Sequence, residues 1–275
     1  MRQSETIIKD LNYLVKTYDG LNKLIVSTKN RLAHLNKDAE AKHQDEIISI
    51  ERIKDQLGRR IVNDLECFPI WTDWLKYLPG IGPAIAGHLV ILYYVRFVPI
   101  CEACGHDLVK TEATNGQRAG FRCSECGKPA KGEGILKTRI EEKDFRNISS
   151  WWHYMGCHVV DGKKPRKKRG CVSDWSSTGR AVAFQIGEQF IKKPPQHLYR
   201  GFYDERRKKR DGTHPEATKL HRLNMARNET AKLFLAHFWE VARTLDGKEV
   251  TAPYAETIMG HTGILKPFYW EPVES

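Results

Sequence analysis

Three things are scarce in this sequence of 275 residues: long apolar runs, acidic residues and cysteine. The longest apolar stretch, 84–100, is interrupted by His88 and Arg96, and it is shorter than the roughly 20 residues that a membrane-spanning helix needs. No hydrophobic segment follows residues 1–5, which argues against a signal peptide. We therefore expect a cytoplasmic protein that has no membrane contact.

Acidic residues are outnumbered by basic ones. The chain has 34 Asp and Glu against 45 Lys and Arg, a formal net charge of +11 and a pI near 9.3. The excess is concentrated in the runs 163–169 and 206–210, and such runs contact a polyanion or form a solvated loop. Because the whole chain is basic, we favour a nucleic-acid partner. The hydrophobic share of 40% excludes a disordered chain.

Cysteine is sparse, and its number, seven, is odd. Four cysteines form two Cys-x-x-Cys-Gly motifs, at 101–105 and 123–127. This spacing is typical of a zinc ribbon, in which four thiolates hold one structural Zn²⁺ and close its coordination sphere. Free thiols are the alternative. The predicted zinc ligands are Cys101, Cys104, Cys123 and Cys126.

The stretch 77–89 is predicted to form a helix-hairpin-helix. The first helix is expected to end within 74–78, and Pro83 suits the first position of the second helix. Free N–H groups in the turn, at the positive end of the helix dipole, would suit a phosphate backbone. A plain turn between two core helices is the alternative. The predicted phosphate-binding residues are Gly80, Ile81 and Gly82.

The N-terminal region shows a heptad seam. Apolar residues between Ile7 and Leu35 recur alternately four and three positions apart, and a second stripe runs from Ile47 to Leu65 after a polar turn at 36–38. This pattern predicts a coiled-coil helical hairpin. One hairpin cannot bury both stripes, so we expect a homodimer through this segment. Packing of the hairpin onto the rest of the chain is the alternative.

The C-terminal half is predicted to be helical around a basic loop at 161–170. Helices are expected at 145–156, 179–192, 197–210 and 215–247, with a strand-like segment at 157–160. Ser176 or Ser177 is expected to cap the second of these helices. His237 is more consistent with a hydrogen-bonded core histidine than with a metal ligand. We expect Phe234, Phe238 and Trp239 to be packing residues.

The order of these features resembles the insertion-sequence transposases, also called bridge-RNA-guided recombinases. The resemblance covers 5–98 by architecture and 141–245 by local pattern, including Tyr154-Met155-Gly156 and the residues 177–180. Together, the sequence features and this resemblance predict a mainly α fold with four units. These are a coiled-coil hairpin (1–68), a helix-hairpin-helix (69–98), a small β zinc ribbon inserted into the family pattern (99–140) and a helical transposase-like domain with the basic loop (141–275).

Two departures from the family pattern bear on catalysis. The family's RuvC-like nuclease domain has no room before the coiled coil, and Asp161-Gly162 stands where the family would have a catalytic serine and its glycine. An aspartate cannot form the phosphodiester link of a serine nucleophile. No catalytic residue is therefore assigned. Ser173, Ser176 and Ser177 would be the nucleophiles of an active recombinase, but they suit turns and caps equally well.

The sequence thus predicts a transposase-like protein that grips the phosphate backbone of DNA, or of structured RNA, through the helix-hairpin-helix and the basic segments. An active recombinase and an RNA-binding protein of translation or RNA processing are the alternatives. The predicted basic contacts are Lys163, Lys164, Arg166, Lys167, Lys168, Arg169, Arg206, Arg207 and Lys208.

Overall fold

The structure, a computed structural model, describes residues 2–34, 43–112, 114, 120–130, 136–160, 164–168, 170–251 and 265–271. This part of the chain is mainly helical, as predicted, with eight α-helices and two small antiparallel sheets. The helices are α1 (Arg2–Leu32), α2 (Gln44–Leu65), α3 (Pro69–Thr72), α4 (Pro83–Tyr94), α5 (Ile148–Tyr154), α6 (Ser177–Ile191), α7 (Leu198–Thr213) and α8 (Lys219–Leu245). The strands are β1 (Val95–Pro99), β2 (Leu108–Thr111), β3 (Gly120–Cys123) and β4 (Thr138–Glu142).

None of the helices in the described ranges combines the length and the apolar character that crossing a bilayer requires.

Helices α1 and α2 run antiparallel against each other. Lys29 near the end of α1 pairs with Glu51 in the first half of α2, Nζ to Oε1 at 2.8 Å. The buried seam contains the predicted residues Leu11, Leu14, Ile25, Leu32, Ile47, Leu57, Ile61 and Leu65. Ile53, which the stripe predicts to be buried, is 49% exposed. The predicted turn at 36–38 lies outside the described residues.

Helix α4 covers the inner face of this hairpin. Its residues Ala86–Tyr93 are all buried, as expected for a helix that is apolar on every side. A Cβ at Gly87 would lie 2.6 Å from Cγ1 of Val15, so the helices approach closely there. Leu11 and Ile61 belong to the same continuous core as α4 and α8. The hairpin therefore packs onto the rest of its own chain, and dimerisation stays a prediction.

The segment before the glycine turn differs from the predicted helix. It consists of α3 and a separate 3₁₀ turn, Leu75–Tyr77. Trp74 interrupts the helix with φ −141°. Its indole stacks on Phe234 of α8 at 5.7 Å between ring centroids and donates a 2.8 Å hydrogen bond to the carbonyl of Phe268. These contacts explain the break, because Trp74 has to leave the helical path to make them.

The two sheets carry the cysteine motifs on an arm. Strand β1 continues directly from α4 and pairs antiparallel with β4, with Phe97 opposite Ile140. Beyond this stem, β2 and β3 form a second antiparallel pair. The paired strands thus begin at Val95 and end at Glu142. The predicted zinc ribbon, 99–140, lies within these bounds. Both Cys-x-x-Cys motifs lie between the stem strands.

Helix α8 forms the centre of the C-terminal half. Phe234, Phe238 and Trp239 are almost fully buried, which confirms that they are packing residues. His237 is also buried and hydrogen-bonded on both ring nitrogens, as predicted. The predicted strand-like segment 157–160 is not a strand, because residues 157–159 have no strand pairing and Val160 forms only an isolated bridge. Ser176 caps α6 by accepting a 3.0 Å hydrogen bond from the N–H of Gly179, which confirms the predicted cap.

Candidate metal centre and basic cleft

The four predicted cysteines come together in the arm, directly after strand β1. The Sγ–Sγ distances are 3.8 Å for Cys101 and Cys126, 3.3 Å for Cys104 and Cys123, and 3.7 Å for Cys104 and Cys126. A tetrahedral ion with metal–sulfur bonds of about 2.3 Å holds its sulfurs about 3.8 Å apart. The cluster can therefore hold a metal ion, as its sequence spacing predicts.

Backbone geometry brings the two motifs into this arrangement. Gly105 and Gly127 have φ values of +75° and +65°, which a glycine adopts without steric cost, so each motif turns back after its second cysteine. The N–H of Cys123 donates to the carbonyl of Lys128 at 2.9 Å and closes the second turn. A small apolar cluster of Cys101, Leu108, Cys123, Phe121, Ala130 and Leu136 supports the site.

The thiols of the cluster ionise unequally. A hydrogen bond from the backbone of Cys126 is the main cause that lowers the pKa of Cys123 to about 6. The backbone of His106 lowers the pKa of Cys104, but the neighbouring Cys123 and the other sulfurs outweigh it and raise that pKa to about 12. The four sulfurs therefore do not all ionise at neutral pH by themselves. A bound divalent cation would stabilise all four thiolates.

A separate cleft of about 1330 Å³ lies between the loop after α5 and the helices α6, α7 and α8. Its walls carry cationic side chains from four segments that are far apart in sequence. The lining includes Lys164, Arg166, Arg180, Phe184, Arg210, His221, Asn224, Arg227, Asn228 and Glu229. Glu229 is the only acidic residue of the cleft wall within the described part of the chain.

The cations of the cleft differ in how far their charge is neutralised. Arg210 pairs with Glu229 at 2.7 Å from Nε to Oε1, and Arg227 pairs with Glu188. Arg180 donates to the carbonyl of Pro165 and lies over the ring of Trp175. Lys164 contacts the side-chain amide oxygen of Asn228. In the described ranges, no carboxylate pairs with Lys164, Arg166 or Arg180.

Only some of the predicted basic contacts lie at the cleft. Lys164 and Arg166 line the cleft, and Lys167 and Lys168 are exposed beside them. On α7, Arg206 lies 3.7 Å from Glu229, Arg207 pairs with Asp211 at 3.3 Å, and Lys208 is exposed. None of these three lines the cleft. The predicted residues Asp161, Lys163 and Arg169 lie outside the described residues.

The predicted glycine turn lies away from the cleft. Gly80 has φ +110° and faces Phe190 and Lys193 near the end of α6. The cleft contacts the same helix near Arg180, and ten helical residues span about 15 Å. The turn and the basic loop therefore contact different ends of α6.

The N–H group of Ile81 is not free, contrary to the prediction for the glycine turn. Its side chain is buried, and its N–H donates to the carbonyl of Leu78 at 3.2 Å. The first helical bond of α4 runs from the N–H of Ala86 to the carbonyl of Gly82. The N–H groups of Ala84 and Ile85 precede that bond, so they are the ones at the open end of the helix.

Comparisons with protein-family models, curated proteins and solved structures found no match. Function is therefore inferred from the chemistry of the site.

Arg210, at the end of the predicted basic run 206–210, is missing from the predicted contacts, and so are two other arginines of the cleft, Arg180 and Arg227. Each of the latter two lies in an ordinary helical stretch, and only the packing of α6 against α8 brings them together. A Cβ at Gly187 of α6 would lie 2.5 Å from Cγ of Arg227, which shows how close the helices are. Only two weak features of the sequence could have indicated these two arginines. Arg180 ends the motif 177–180, and the small residue Gly187 permits close helix packing.

Proposed function

We propose that this protein is a transposase-like nucleic-acid-binding protein that holds a phosphate backbone in the basic cleft. The observation that carries the proposal is the set of three cations, Lys164, Arg166 and Arg180, that face the cleft without a carboxylate partner in the described residues. Phosphate oxygens are the natural partners of such groups, and arginine binds them with two parallel hydrogen bonds.

The size and lining of the cleft favour a polymer over a small anion. Its volume of about 1330 Å³ exceeds the roughly 300–1,000 Å³ that is usual for small-molecule pockets. Phe184 in its wall is 51% exposed, and Arg227 lies over the ring at 3.8 Å from the centroid. An exposed aromatic ring beside cations is a common stacking surface for nucleic-acid bases.

The ion of the cysteine cluster is proposed to be Zn²⁺ with a structural role. Four thiolates at tetrahedral spacing prefer zinc, and they leave no open position for a reacting group. Its ligands lie where the stem sheet passes into the β2–β3 pair, with Cys101 two residues after β1 and Cys123 at the end of β3, so zinc would hold these two sheets together. Binding would also contribute to the folding of the arm, whose own apolar cluster is small.

The experiment that tests nucleic-acid binding measures affinity as a function of salt. Duplex DNA, branched DNA and structured RNA are compared with the unaltered protein at fixed salt concentrations. If about six phosphates are engaged, affinity falls by about 10³-fold or more between about 50 and 200 mM salt. The ligand with the highest affinity and the steepest slope identifies the kind of nucleic acid.

The variant Lys164→Ser, Arg166→Ser, Arg180→Ser should flatten the dependence of log K on log salt by about two to three for duplex DNA, because three phosphate contacts are lost. The matched control replaces three exposed cations of the N-terminal hairpin, Lys16→Ser, Lys23→Ser and Arg31→Ser. It has the same net charge as the cleft variant. Equal slopes for the two variants would show that the cleft makes no specific contribution and would overturn the proposal.

A further inference from the structure

A second group of metal-ligating side chains lies beside the cleft, remote in sequence from the cysteine cluster. His153 is in the last turn of α5, His158 follows four residues after that helix ends, and Asp174 precedes α6. Gly156, with φ +65°, donates its N–H to the carbonyl of His153 and reverses the chain between the two histidines. One ligand atom from each of the three side chains lies within 4.8 Å of the others.

The contacts inside this group are close. Nε2 of His153 lies 2.9 Å from Oδ2 of Asp174, and the rings of His153 and His158 stack at 3.9 Å between centroids. Nδ1 of His158 is buried and has no hydrogen-bond partner among the described residues. A buried ring nitrogen without a partner costs free energy, and a bound cation would use its lone pair.

We propose that His153, His158 and Asp174 bind a divalent first-row transition-metal ion. Two imidazoles and one carboxylate are the ligand set that Zn²⁺, Mn²⁺, Fe²⁺ and Co²⁺ accept, whereas Mg²⁺ prefers oxygen ligands. Three protein ligands leave further coordination positions open. This site therefore differs from the four-cysteine cluster, which is closed.

Binding requires a rotation of one ring. A ligating nitrogen directs its lone pair in the plane of the ring, so two parallel rings 3.9 Å apart do not point at one ion. The side chains of His153 and Asp174 are 43% and 72% exposed, so they can turn toward a metal held by the less exposed His158. Burial lowers the pKa of His158, and the positive charge of Arg180 contributes to lowering it. That charge would also repel a bound cation. The guanidinium is held in place over the ring of Trp175, so it is not itself directed at the metal ligands.

The chain segment that carries His158 runs along the wall of the basic cleft, although none of the three proposed ligands lines the cleft. Cys157 and Val159, the neighbours of His158, both line the cleft wall. Metal binding itself does not depend on nucleic-acid binding, and its test needs no nucleic acid.

The test is a titration of the metal-free 275-residue chain with Co²⁺. The unaltered protein should bind two Co²⁺ per chain: one with an intense thiolate-to-cobalt charge-transfer band, and one with weak d–d bands only. His153→Gln, His158→Gln and Asp174→Asn should each bind one Co²⁺ and keep the thiolate band. The pair Cys101→Ser and Cys126→Ser should lose that band and keep the weak bands.

The controls separate ligand loss from unfolding. Asp174→Asn changes a largely exposed side chain, so a folding defect is not expected, and circular dichroism checks it. His34→Gln removes an exposed histidine far from the site in sequence and should keep both ions. A single Co²⁺ per chain in the unaltered protein would overturn the proposal, as would a second Co²⁺ that persists in Asp174→Asn and His158→Gln.

Discussion

The hydroxyl of Tyr199 lies 2.8 Å from Nδ1 of His237 inside the helical core. Nε2 of the same ring lies 2.9 Å from the carbonyl of Leu265. A carbonyl oxygen only accepts, so Nε2 carries the proton, Nδ1 accepts, and the Tyr199 hydroxyl donates. The two contacts therefore hold His237 in one neutral tautomer.

This arrangement predicts a loss of stability in mild acid. Burial lowers the pKa of His237 from 6.5 to about 4. In the unfolded chain the imidazole takes up its proton as the pH falls through about 6.5, whereas the folded protein does so only near about 4. The free energy of unfolding should therefore decrease as the pH falls between these values, by of order 3 kcal/mol from this residue. Urea unfolding at a series of pH values measures it.

The variant His237→Gln isolates the contribution of the imidazole. An amide can replace both hydrogen bonds but does not titrate. The variant should lose part of its stability at neutral pH and show a weaker pH dependence between about pH 6.5 and 4 than the unaltered protein. The same pH dependence in both proteins would show that other groups cause the acid destabilisation.

A second prediction concerns the contact between Gly187 and Arg227. A Cβ at residue 187 would lie 2.5 Å from Cγ of Arg227 and 3.1 Å from its carbonyl oxygen. Gly187→Ala should separate α6 from α8 and lower the free energy of unfolding by about 1–3 kcal/mol. It should also weaken nucleic-acid binding, because Arg227 would leave its place beside Phe184. Urea unfolding and a binding titration give the two readings.

The matched control is Gly212→Ala. Gly212 lies in α7, and a Cβ there would have no neighbour within 4 Å. Alanine is favoured over glycine in a helix by about 1 kcal/mol, so this variant should be as stable as the unaltered protein or more stable. A similar loss of stability in both variants would mean that crowding against Arg227 is not the cause.

Local features of the sequence predicted local structure well. The Cys-x-x-Cys-Gly spacing predicted the cluster, and the sequence predicted a helix cap at Ser176 or Ser177, because both features depend on residues a few positions apart. The break at Trp74 could not be predicted, since its cause is Phe234 and Phe268, far along the chain. The cleft was predicted only in part for the same reason: Arg227 reaches it through long-range packing of α8 against α6.

A third prediction concerns removal of metal from the arm. The apolar cluster around the cysteines, with Leu108 and Phe121, is separate from the helical core. Cys101→Ser combined with Cys126→Ser should remove the one zinc ion per chain that we expect in the cysteine cluster. Proteolysis should then cut between 101 and 137. Melting of the tryptophan-rich core, followed by fluorescence, should change little. A large shift in that transition would contradict the independence of the arm.

The last prediction concerns Ser176, a nucleophile candidate if the protein were an active recombinase. Its side chain accepts a 3.0 Å hydrogen bond from the N–H of Gly179 at the start of α6. Ser176→Ala should therefore lower the free energy of unfolding by about 1 kcal/mol. Ser176→Asn should restore it, because an amide oxygen caps a helix as well as a hydroxyl does.

The same variants distinguish a cap from a nucleophile. If Ser176 is only a cap, Ser176→Asn should restore both stability and nucleic-acid affinity. If Ser176 is a nucleophile, Ser176→Asn should be inactive, because an asparagine cannot form a phosphodiester link with a DNA end. We expect the unaltered protein to form no covalent adduct with suicide DNA substrates on denaturing gels. An adduct that persists in Ser173→Ala and Ser177→Ala but disappears in both Ser176 variants would instead identify Ser176 as a nucleophile and the protein as an active recombinase.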